Sequence, residues 1–361
     1  MRDDTSKAGA ELSPKRGEAS GGTLLEVRDL SVQFHLTEGT ISAVDGIDFT
    51  IDPTTTLGFM GESGCGKSVT ARAIVGIVPQ PPGEVKGIIN FYPEKTHQAI
   101  DLARLDPKGK PYRSIRGDSI SMIFQEPMSA LSPVHKVGDQ ISEVLRLHRG
   151  LNQRDAREQT IAMLDSVGIS EPARRVHQYP FEMSGGMCQR VMIAMALCCR
   201  PRLLIADEPS TGLDVTIQAQ ILDLMKEIQN DYSTAVLFIT HDLGVIAEMA
   251  SEVAVMYMGW IVEKGSAHEV FYRHLHPYTE GLLRSIPTVS SQRHRLNPIK
   301  GSVPNPFSQI KGCKFKYRCQ RLIGKRCEEV PPVFEVQPGH LARCWLYEKE
   351  GQQLTDGDGR Q

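Results

Sequence analysis

Gly61-Glu62-Ser63-Gly64-Cys65-Gly66-Lys67-Ser68 is the stretch that decides the fold, because it fits the phosphate-binding pattern G-x-x-x-x-G-K-[ST]. Glycines let successive backbone N–H groups turn toward an anion, and the helix that follows presents its positive end to the same anion. In this pattern Lys67 reaches the β- and γ-phosphates, and Ser68 binds Mg²⁺. The alternative is a glycine-rich turn without a ligand, but an apolar strand at Thr56–Met60 and a helical pattern from Lys67 flank the loop. The sequence therefore predicts a nucleotide site made by these eight residues and Val69.

A second acidic motif follows an apolar strand later in the chain. Leu203–Ala206 is predicted to be a buried strand, and Asp207 and Glu208 follow it directly. A carboxylate at the end of a buried strand beside the phosphates suits Mg²⁺ binding, which we assign to Asp207. Glu208 is expected to point the other way, toward the γ-phosphate, where it suits a general base for the attacking water.

Composition limits the class of protein. The 361 residues are 40% apolar and 23% charged, which excludes wholly disordered and fibrous proteins. Lys plus Arg is 41 and Asp plus Glu is 43, and this balance disfavours a nucleic-acid coat protein held by bulk charge. No apolar run approaches the roughly 20 residues that cross a bilayer, so we expect membrane contact only through a partner. Residues 1–22 are polar, and we expect a flexible tail rather than a secretory signal.

Beyond the loop, short apolar strands alternate with helical patterns. Strands are predicted at Leu24–Phe34, Ala43–Ile51, Ile120–Phe124, Leu203–Ala206, Ala235–Thr240 and Val253–Met258. Helices are predicted at Val215–Asn230 and Leu243–Met249, and a helical block runs from about Pro133 to Tyr179. This alternation predicts an α/β domain with a mainly parallel sheet and an inserted helical subdomain. Ile286–Gly312 is rich in Pro, Ser and Asn and is predicted to be a linker.

A third motif, Met183-Ser184-Gly185-Gly186-Met187-Cys188-Gln189-Arg190, precedes the acidic strand. Ser-Gly-Gly at a helix start again offers a hydroxyl and backbone donors to an anion. Two phosphate-binding elements in one chain are unusual for a kinase or a GTPase. With these motifs in this order, the chain from about Leu24 onward resembles the ATP-binding subunit of ABC transporters. Residues 184–189 resemble the signature motif, Gln125 the Q-loop, Ser210–Asp214 the D-loop and His241 the switch histidine.

The resemblance implies a head-to-tail dimer with a second ATPase subunit, either a copy of this chain or a related partner. Each ATP, with Mg²⁺, is then expected between the phosphate-binding loop of one chain and the signature motif of the other. The contacts expected across that interface are Ser184, Gly185, Gly186, Gln189 and Asp214. The residues expected to act in catalysis are Lys67, Gln125, Glu208 and His241, with Ser68, Gln125 and Asp207 around Mg²⁺.

Three further positions need comment under this resemblance. Phe34 is expected to stack on adenine, with a core phenylalanine as the alternative, and His35–Thr40 looks like an insertion after it. Cys188 stands where the family usually has a basic residue, and Gly212 where alanine is common. Neither change removes a phosphate ligand, so hydrolysis is still expected, although Cys188 is expected to weaken contacts across the dimer.

Several segments resemble the dipeptide and oligopeptide importer branch of the family: Phe124–Pro133, His276–Leu283, Ile286-Pro287, Gly301–Pro304, Gly312–Phe315 and Arg318-Cys319. The resemblance implies peptide uptake across the cytoplasmic membrane, with nickel or another small solute such as glutathione as the alternative. It implies two membrane permease subunits, bound through the helical subdomain at about 126–182 on the cytoplasmic face of the inner membrane. An external solute-binding protein would act indirectly, and no nucleic acid is expected. A soluble ABC ATPase of DNA repair or translation is less favoured, since the chain has no second cassette and no long coiled coil.

The expected fold class is α/β: a P-loop NTPase with a mainly parallel sheet, an N-terminal antiparallel β part, an inserted helical subdomain and a small cysteine-containing extension. We expect the ATP-binding domain over 23–272, an oligopeptide-transporter-type C-terminal extension over 273–346 and a flexible tail over 347–361.

Four cysteines lie in the extension, at Cys313, Cys319, Cys327 and Cys344. Their spacing lacks the close pairs of most zinc sites, and four thiolates can also hold a [4Fe–4S] cluster. Zinc, a cluster and free thiols all stay open from spacing alone, and the resemblance favours the cluster. The segment 281–327 has eleven Lys or Arg and no Asp or Glu, which suits either an anionic cluster or a basic face near acidic lipid.

Overall fold

A computed structural model describes residues 22–93, 98–211, 214–285, 299–349 and 352–353. The predicted tail at 1–22 lies outside these residues except for Gly22, and so do Gly212, residues 286–298 of the predicted linker and most of the tail at 347–361.

The described residues form thirteen strands and eleven α-helices. The strands are β1 Leu25–Leu36, β2 Gly39–Ile51, β3 Thr56–Met60, β4 Gly83–Phe91, β5 Ile100–Asp101, β6 Ile120–Ile123, β7 Leu203–Asp207, β8 Ala235–Ile239, β9 Glu252–Tyr257, β10 Trp260–Ser266, β11 Phe334–Gln337, β12 His340–Ala342 and β13 Gln352–Gln353. The helices are α1 Lys67–Ile74, α2 Lys110–Ile115, α3 Pro127–Ala130, α4 Val137–Arg149, α5 Gln153–Ser166, α6 Pro172–Arg175, α7 Gly185–Leu197, α8 Val215–Tyr232, α9 Leu243–Met249, α10 Ala267–Tyr272 and α11 Pro277–Arg284.

Five short apolar strands form the parallel centre of the large sheet, in the order β9-β3-β8-β7-β6. Apart from Glu252 at the start of β9, every residue of these strands is buried. Near-continuous runs of apolar residues suit strands that are covered on both faces. Because the strands are parallel, their carboxyl ends share one edge of the sheet, where ligands bind in open α/β sheets.

The N-terminal sheet is antiparallel, with the strand order β2-β1-β4-β5. Strands β1 and β2 form a hairpin in which Leu36 lies opposite Gly39. Residues 35–40, which looked like an insertion, complete both strands and the turn between them. Strand β4 pairs with β1, where Phe34 lies opposite Gly83, although the sequence patterns did not predict this strand.

The helical block lies between β6 and β7 and consists of α3 to α6, followed by α7. Helix α4 buries Val137, Ile141 and Leu145, and α5 buries Leu164. These side chains belong to the same apolar cluster as residues of the large sheet, so the helices are packed on the domain. Within the described part of the chain, no helix has both the length and the apolar composition needed to cross a membrane.

The C-terminal extension continues the large sheet. Strand β12 pairs with β10, with Glu263 opposite Ala342, and β11 then pairs with β12. Rings of Tyr257, Tyr278 and Phe315 pack together, with centroids 4.7 Å, 5.2 Å and 5.4 Å apart. Each such contact contributes about 0.5–1.5 kcal/mol beyond area burial. The segment predicted as the extension therefore shares a sheet and an aromatic cluster with the strands before it.

Candidate active site

The phosphate-binding loop joins β3 to α1 and has two glycines that no other residue replaces without strain. Gly61 has φ 150° and Gly66 has φ 110°, in the range that favours glycine. A Cβ on Gly61 would lie 2.2 Å from the Met256 carbonyl oxygen, and one on Gly66 would lie 2.4 Å from the Ala43 carbonyl oxygen. The loop is therefore held tightly against neighbouring backbone on both sides.

Lys67 lies in the curve of this loop. Its side chain is buried, and Nζ donates to the Gly61 carbonyl at 2.7 Å and to the Glu62 carbonyl at 3.1 Å. Cys65 is also buried, with its Sγ 3.6 Å from Lys67 Nζ, and burial raises the pKa of the Cys65 thiol. Ser63 and Gly64 are exposed at the tip of the loop. A buried cation held by carbonyl oxygens is ready to move to a phosphate oxygen, which is a stronger partner.

The candidate Mg²⁺ position lies between the loop and the acidic strand. Ser68 Oγ donates to Asp207 Oδ1 at 2.8 Å. Burial, together with the adjacent charge of Glu208, raises the pKa of the Asp207 carboxyl. A buried carboxylate beside a hydroxyl and near a second acid gains from a divalent cation, and these oxygen donors suit Mg²⁺. The residues present therefore fit the metal that the phosphate-binding pattern implies.

Glu208 is the centre of the expected catalytic group. Its Oε2 accepts from Gln125 Nε2 at 2.9 Å and from Thr211 Oγ1 at 2.9 Å, and it lies 3.4 Å from His241 Nδ1. Sheet order explains this meeting, because Gln125 follows β6, Glu208 follows β7 and His241 follows β8, which are neighbouring parallel strands. Glu208 itself has φ 49°, an uncommon value for a residue with a side chain and one found at functional sites.

The signature residues lie at the start of α7. Ser184 is its N-cap, and its Oγ accepts from Met187 N at 3.3 Å. Gly185 is exposed, with nothing within 4 Å of the position where a Cβ would stand. Asp214 caps α8 in the same way, accepting from Thr216 N and Ile217 N at 3.0 Å each. These two helix starts leave a polar surface on which a second chain can place an anion.

Two residues of the signature motif, Cys188 and Gln189, have buried side chains. Gln189 is buried, and its amide donates to the Pro209 carbonyl, so its side chain holds the turn after Glu208 instead of facing a partner's nucleotide. Cys188 is fully buried, and its Sγ donates to the Pro180 carbonyl at 3.3 Å. The expected weakening of dimer contacts by Cys188 is therefore not supported, because the side chain does not reach the surface.

Phe34 and Val69 are both partly buried against the apolar cluster of the N-terminal sheet. A Cβ on Gly83 would lie 3.2 Å from the Phe34 ring, so this ring packs against β4. Val69 occupies the first turn of α1. The Phe34 ring thus packs against the apolar cluster, as the alternative of a core phenylalanine predicts.

Sequence patterns missed three residues that contact the site. Thr211 donates to Glu208, Tyr278 accepts from the Glu62 backbone, and Arg318 pairs with the Glu62 carboxylate. Tyr278 and Arg318 lie in segments that resemble the importer branch, but no sequence pattern predicts their contacts with Glu62. Their contacts join residues more than 200 positions apart.

The four cysteines of the extension are close enough to influence one another. Burial, with a smaller contribution from the neighbouring thiols, raises the pKa of Cys313 to about 11 and that of Cys344 to about 12. Cys313 N donates to the Cys327 carbonyl at 3.0 Å. Among the described residues, however, no group of three or more His, Cys, Asp or Glu side chains is arranged to hold a single metal ion. The arrangement of these side chains therefore does not support the expected iron–sulfur cluster.

Comparison with known proteins agrees with the site. A family model for the ABC transporter matches residues 44–211, and a model for the C-terminal region of oligopeptide/dipeptide transporters matches residues 262–327. The chain is 46% identical over 330 residues to oligopeptide transport ATP-binding protein AppD of Bacillus subtilis, covering 91% of this chain and 98% of AppD. It is 44% identical over 322 residues to oligopeptide transport ATP-binding protein OppD of Salmonella typhimurium, covering 89% of this chain and 93% of OppD.

Solved structures give the same result. The chain is similar to the dimeric bacterial ABC transporter cassette MJ0796, with a TM-score of 0.58 and 25% identity, over 67% of this chain and 98% of that one. It is also similar to cbiO1 of Clostridium perfringens, with a TM-score of 0.55 and 27% identity, over 70% of this chain and 92% of that one. The expected fold class and family resemblance are thus confirmed. The chain belongs to the ABC transporter ATPases and carries the C-terminal region of oligopeptide and dipeptide transporters.

Proposed function

We propose that this chain hydrolyses ATP at the site around Lys67 and Glu208 and thereby energises import of dipeptides and oligopeptides. The observation that carries the proposal is the convergence of Gln125 and His241 on one carboxylate oxygen of Glu208, next to the Ser68–Asp207 pair. Phosphoryl transfer depends on positioning and electrostatic stabilisation, and this group supplies both.

Lys67, Ser68 and Asp207 bind the phosphates and the metal in this mechanism. Lys67 leaves the carbonyls of Gly61 and Glu62 and neutralises charge on the β- and γ-phosphates. Ser68 and Asp207 hold Mg²⁺, which supplies charge neutralisation at the phosphate oxygens when bound. Backbone N–H groups of the loop and the start of α1 complete the anion site.

Glu208 acts as the general base for the attacking water. Gln125 and Thr211 both donate to its Oε2 and so fix the carboxylate, and Gln125 would also offer its amide oxygen to a bound Mg²⁺ or its water. His241, at 3.4 Å, aligns the γ-phosphate with Glu208. A positioned base of this kind contributes roughly 10²–10⁴-fold to the rate.

A second ATPase chain is required in this proposal. The helix start is exposed at Ser184 and Gly185 and half-buried at Gly186, and in this proposal it completes the site of a partner in a head-to-tail dimer, with Asp214 beside it. Gln189 then acts inside its own chain through Pro209. The solved cassette MJ0796 is described as dimeric, which supports this arrangement.

The helical subdomain at 126–182 is the proposed contact with two permease subunits on the cytoplasmic face of the membrane. Large apolar side chains are exposed there and just before it, at Phe124, Met128, Val134 and Phe181. Exposed apolar residues of this size favour a protein contact. The chain would then be peripheral, held by its partners, with a solute-binding protein acting indirectly from outside.

The proposed solute follows from the names of the relatives, which are oligopeptide and dipeptide transport proteins. Uptake of a labelled tripeptide and of nickel, measured side by side in a strain that lacks this chain and in the complemented strain, tests it. Peptide uptake should fall without the chain and return on complementation, with nickel uptake unchanged. Loss of nickel uptake with normal peptide uptake would replace the peptide proposal by nickel.

We also propose that Cys313, Cys319, Cys327 and Cys344 bind a [4Fe–4S] cluster. The backbone bond from Cys313 N to the Cys327 carbonyl, at 3.0 Å, brings two of the four cysteines together, and four cysteine sulfurs are the donor set such clusters use. Iron and sulfide should be found in anaerobically purified full-length protein and lost in Cys319→Ser, but kept in Cys198→Ser. Protein that contains zinc in place of iron, or neither metal, would contradict the cluster.

A further inference from the structure

The second residue of the phosphate-binding loop, Glu62, uses all of its hydrogen-bonding groups. Its N–H donates to Tyr278 Oη at 2.8 Å, its carbonyl accepts from Lys67 Nζ at 3.1 Å, and its carboxylate pairs with Arg318. Two of these three partners come from the C-terminal extension. Glu62 is therefore the point at which the extension contacts the loop.

Arg318 binds Glu62 in the bidentate geometry that gives the strongest ion pairs. Its Nη1 lies 2.6 Å from Oε2 and its Nη2 2.9 Å from Oε1. The Arg318 side chain is 4% exposed, and its guanidinium lies 5.8 Å from the centre of the Tyr257 ring. Solvent therefore screens this pair far less than an ordinary surface ion pair.

Tyr278 is fully buried and held by its neighbours. Its ring packs 4.7 Å from Tyr257 and 5.4 Å from Phe315, so its hydroxyl has little freedom to leave Glu62. Phe315 lies three residues before Arg318, and both belong to the cysteine-bearing segment. The same rigid cluster thus carries both groups that hold Glu62.

The start of the loop is fixed by the packing of Gly61 against the Met256 carbonyl and by the bond from Lys67 to the Gly61 carbonyl. Ser63 and Gly64, which follow Glu62, are exposed, and exposed backbone of this kind loses much conformational freedom when it closes on a ligand. A partner that holds the loop before nucleotide arrives lowers this entropic penalty and raises affinity. We propose that Arg318 and Tyr278 are positioning residues of the phosphate-binding loop, so that nucleotide affinity depends on the C-terminal extension.

Affinity for MgADP tests this proposal directly, because ADP needs the loop of one chain but not the signature motif of a second. Arg318→Met in the full-length protein should raise the Kd for MgADP about 10-fold, as expected for a hydrogen-bonded charge pair. Arg318→Lys, which keeps one contact, should recover part of this loss. Tyr278→Phe, which keeps the ring and removes only the acceptor, should raise the Kd about 3-fold.

Lys316→Met is the matched control. Lys316 lies two residues from Arg318, is nearly as buried and pairs with Glu328 inside the extension. The Lys316→Met substitution therefore removes one buried positive charge from the extension but no contact to the loop. Its Kd for MgADP should match the unmodified protein. An equal rise in Lys316→Met would overturn the proposal, because the effect would then come from the fold of the extension.

Hydrolysis separates positioning from chemistry. In the assembled transporter, Arg318→Met should raise the KM for ATP about 10-fold and change kcat less than about 2-fold. If Arg318→Met does not fold, Glu62→Gln decides, since it weakens the same pair and leaves the extension's own contacts in place. An unchanged Kd for MgADP in whichever of these two variants folds overturns the proposal. Because both substitutions disrupt the same ion pair, their effects should not add, and the double variant Glu62→Gln Arg318→Met should bind MgADP no more weakly than the weaker-binding single variant.

Discussion

Acid should destabilise this protein through one buried histidine that holds the helix carrying Tyr278. His276 is the N-cap of α11, where its Nδ1 accepts from Tyr278 N at 3.0 Å. Burial lowers the pKa of His276 to about 4, and the nearby Glu263 carboxylate only partly opposes this. Glu263 also binds His276 N at 2.8 Å and His340 Nε2 at 2.9 Å, and the Phe315 ring lies 5.7 Å from the imidazole.

The sign and size of the effect follow from linkage. The unfolded chain binds a proton at His276 below about pH 6.5, whereas the folded chain binds it only below about pH 4. The unfolded state therefore holds more protons between these values, and stability is lost as the pH falls from about 6.5 toward 4. At about 1.36 kcal/mol per pKa unit, this histidine alone removes roughly 2 kcal/mol between pH 7 and pH 5.

Urea unfolding at pH 7 and pH 5 measures the effect, with His276→Asn as the comparison. Asparagine keeps an N-cap acceptor but has no proton to bind. The loss of unfolding free energy on acidification should be about 2 kcal/mol smaller in the variant. Equal losses in both proteins would refute the reasoning, because carboxyl groups elsewhere would then account for the whole pH dependence.

Two further substitutions test the loop and the metal position. Asp207→Asn should raise the Mg²⁺ concentration needed for half-maximal ATP hydrolysis by about 10–100-fold, because the metal position beside Ser68 loses its carboxylate charge. An unchanged Mg²⁺ midpoint would remove Asp207 from the metal site. Gly66→Ala should lower the stability to urea more than Gly64→Ala does. Both glycines have positive φ, but only a Cβ on Gly66 would clash with backbone, at 2.4 Å from the Ala43 carbonyl oxygen. The reverse order of stability would contradict the packing described for the loop.

The parallel sheet and the site at its edge were largely predictable from sequence. Strands such as Leu203–Asp207 are short runs of buried apolar residues, and their ends carry the polar motifs. Once the strands are parallel neighbours, Gln125, Glu208 and His241 must meet, since each follows one of them. Local pattern and sheet topology together therefore suffice for this part.

Other features depend on contacts that no local pattern contains. Strand β4 has few alternating positions and forms by pairing with β1. The pair between Arg318 and Glu62 joins residues 256 positions apart, and the motif spacing gives no sign of it. The bond of the Gln189 amide to the Pro209 carbonyl is another such contact, because it depends on the packing of α7 against the turn after Glu208.

ATP hydrolysis by a Glu208→Gln transporter tests the central claim most directly. The substitution keeps the shape of the side chain and removes its ability to accept a proton, while the contacts to Gln125 and Thr211 allow the site to stay formed. MgATP binding should stay within about 2-fold of the unmodified protein, and hydrolysis should fall by at least about 100-fold. Glu248→Gln, on the exposed ion pair with Lys226, should hydrolyse ATP normally. Near-normal turnover in Glu208→Gln would contradict the assignment of this site as the centre of catalysis.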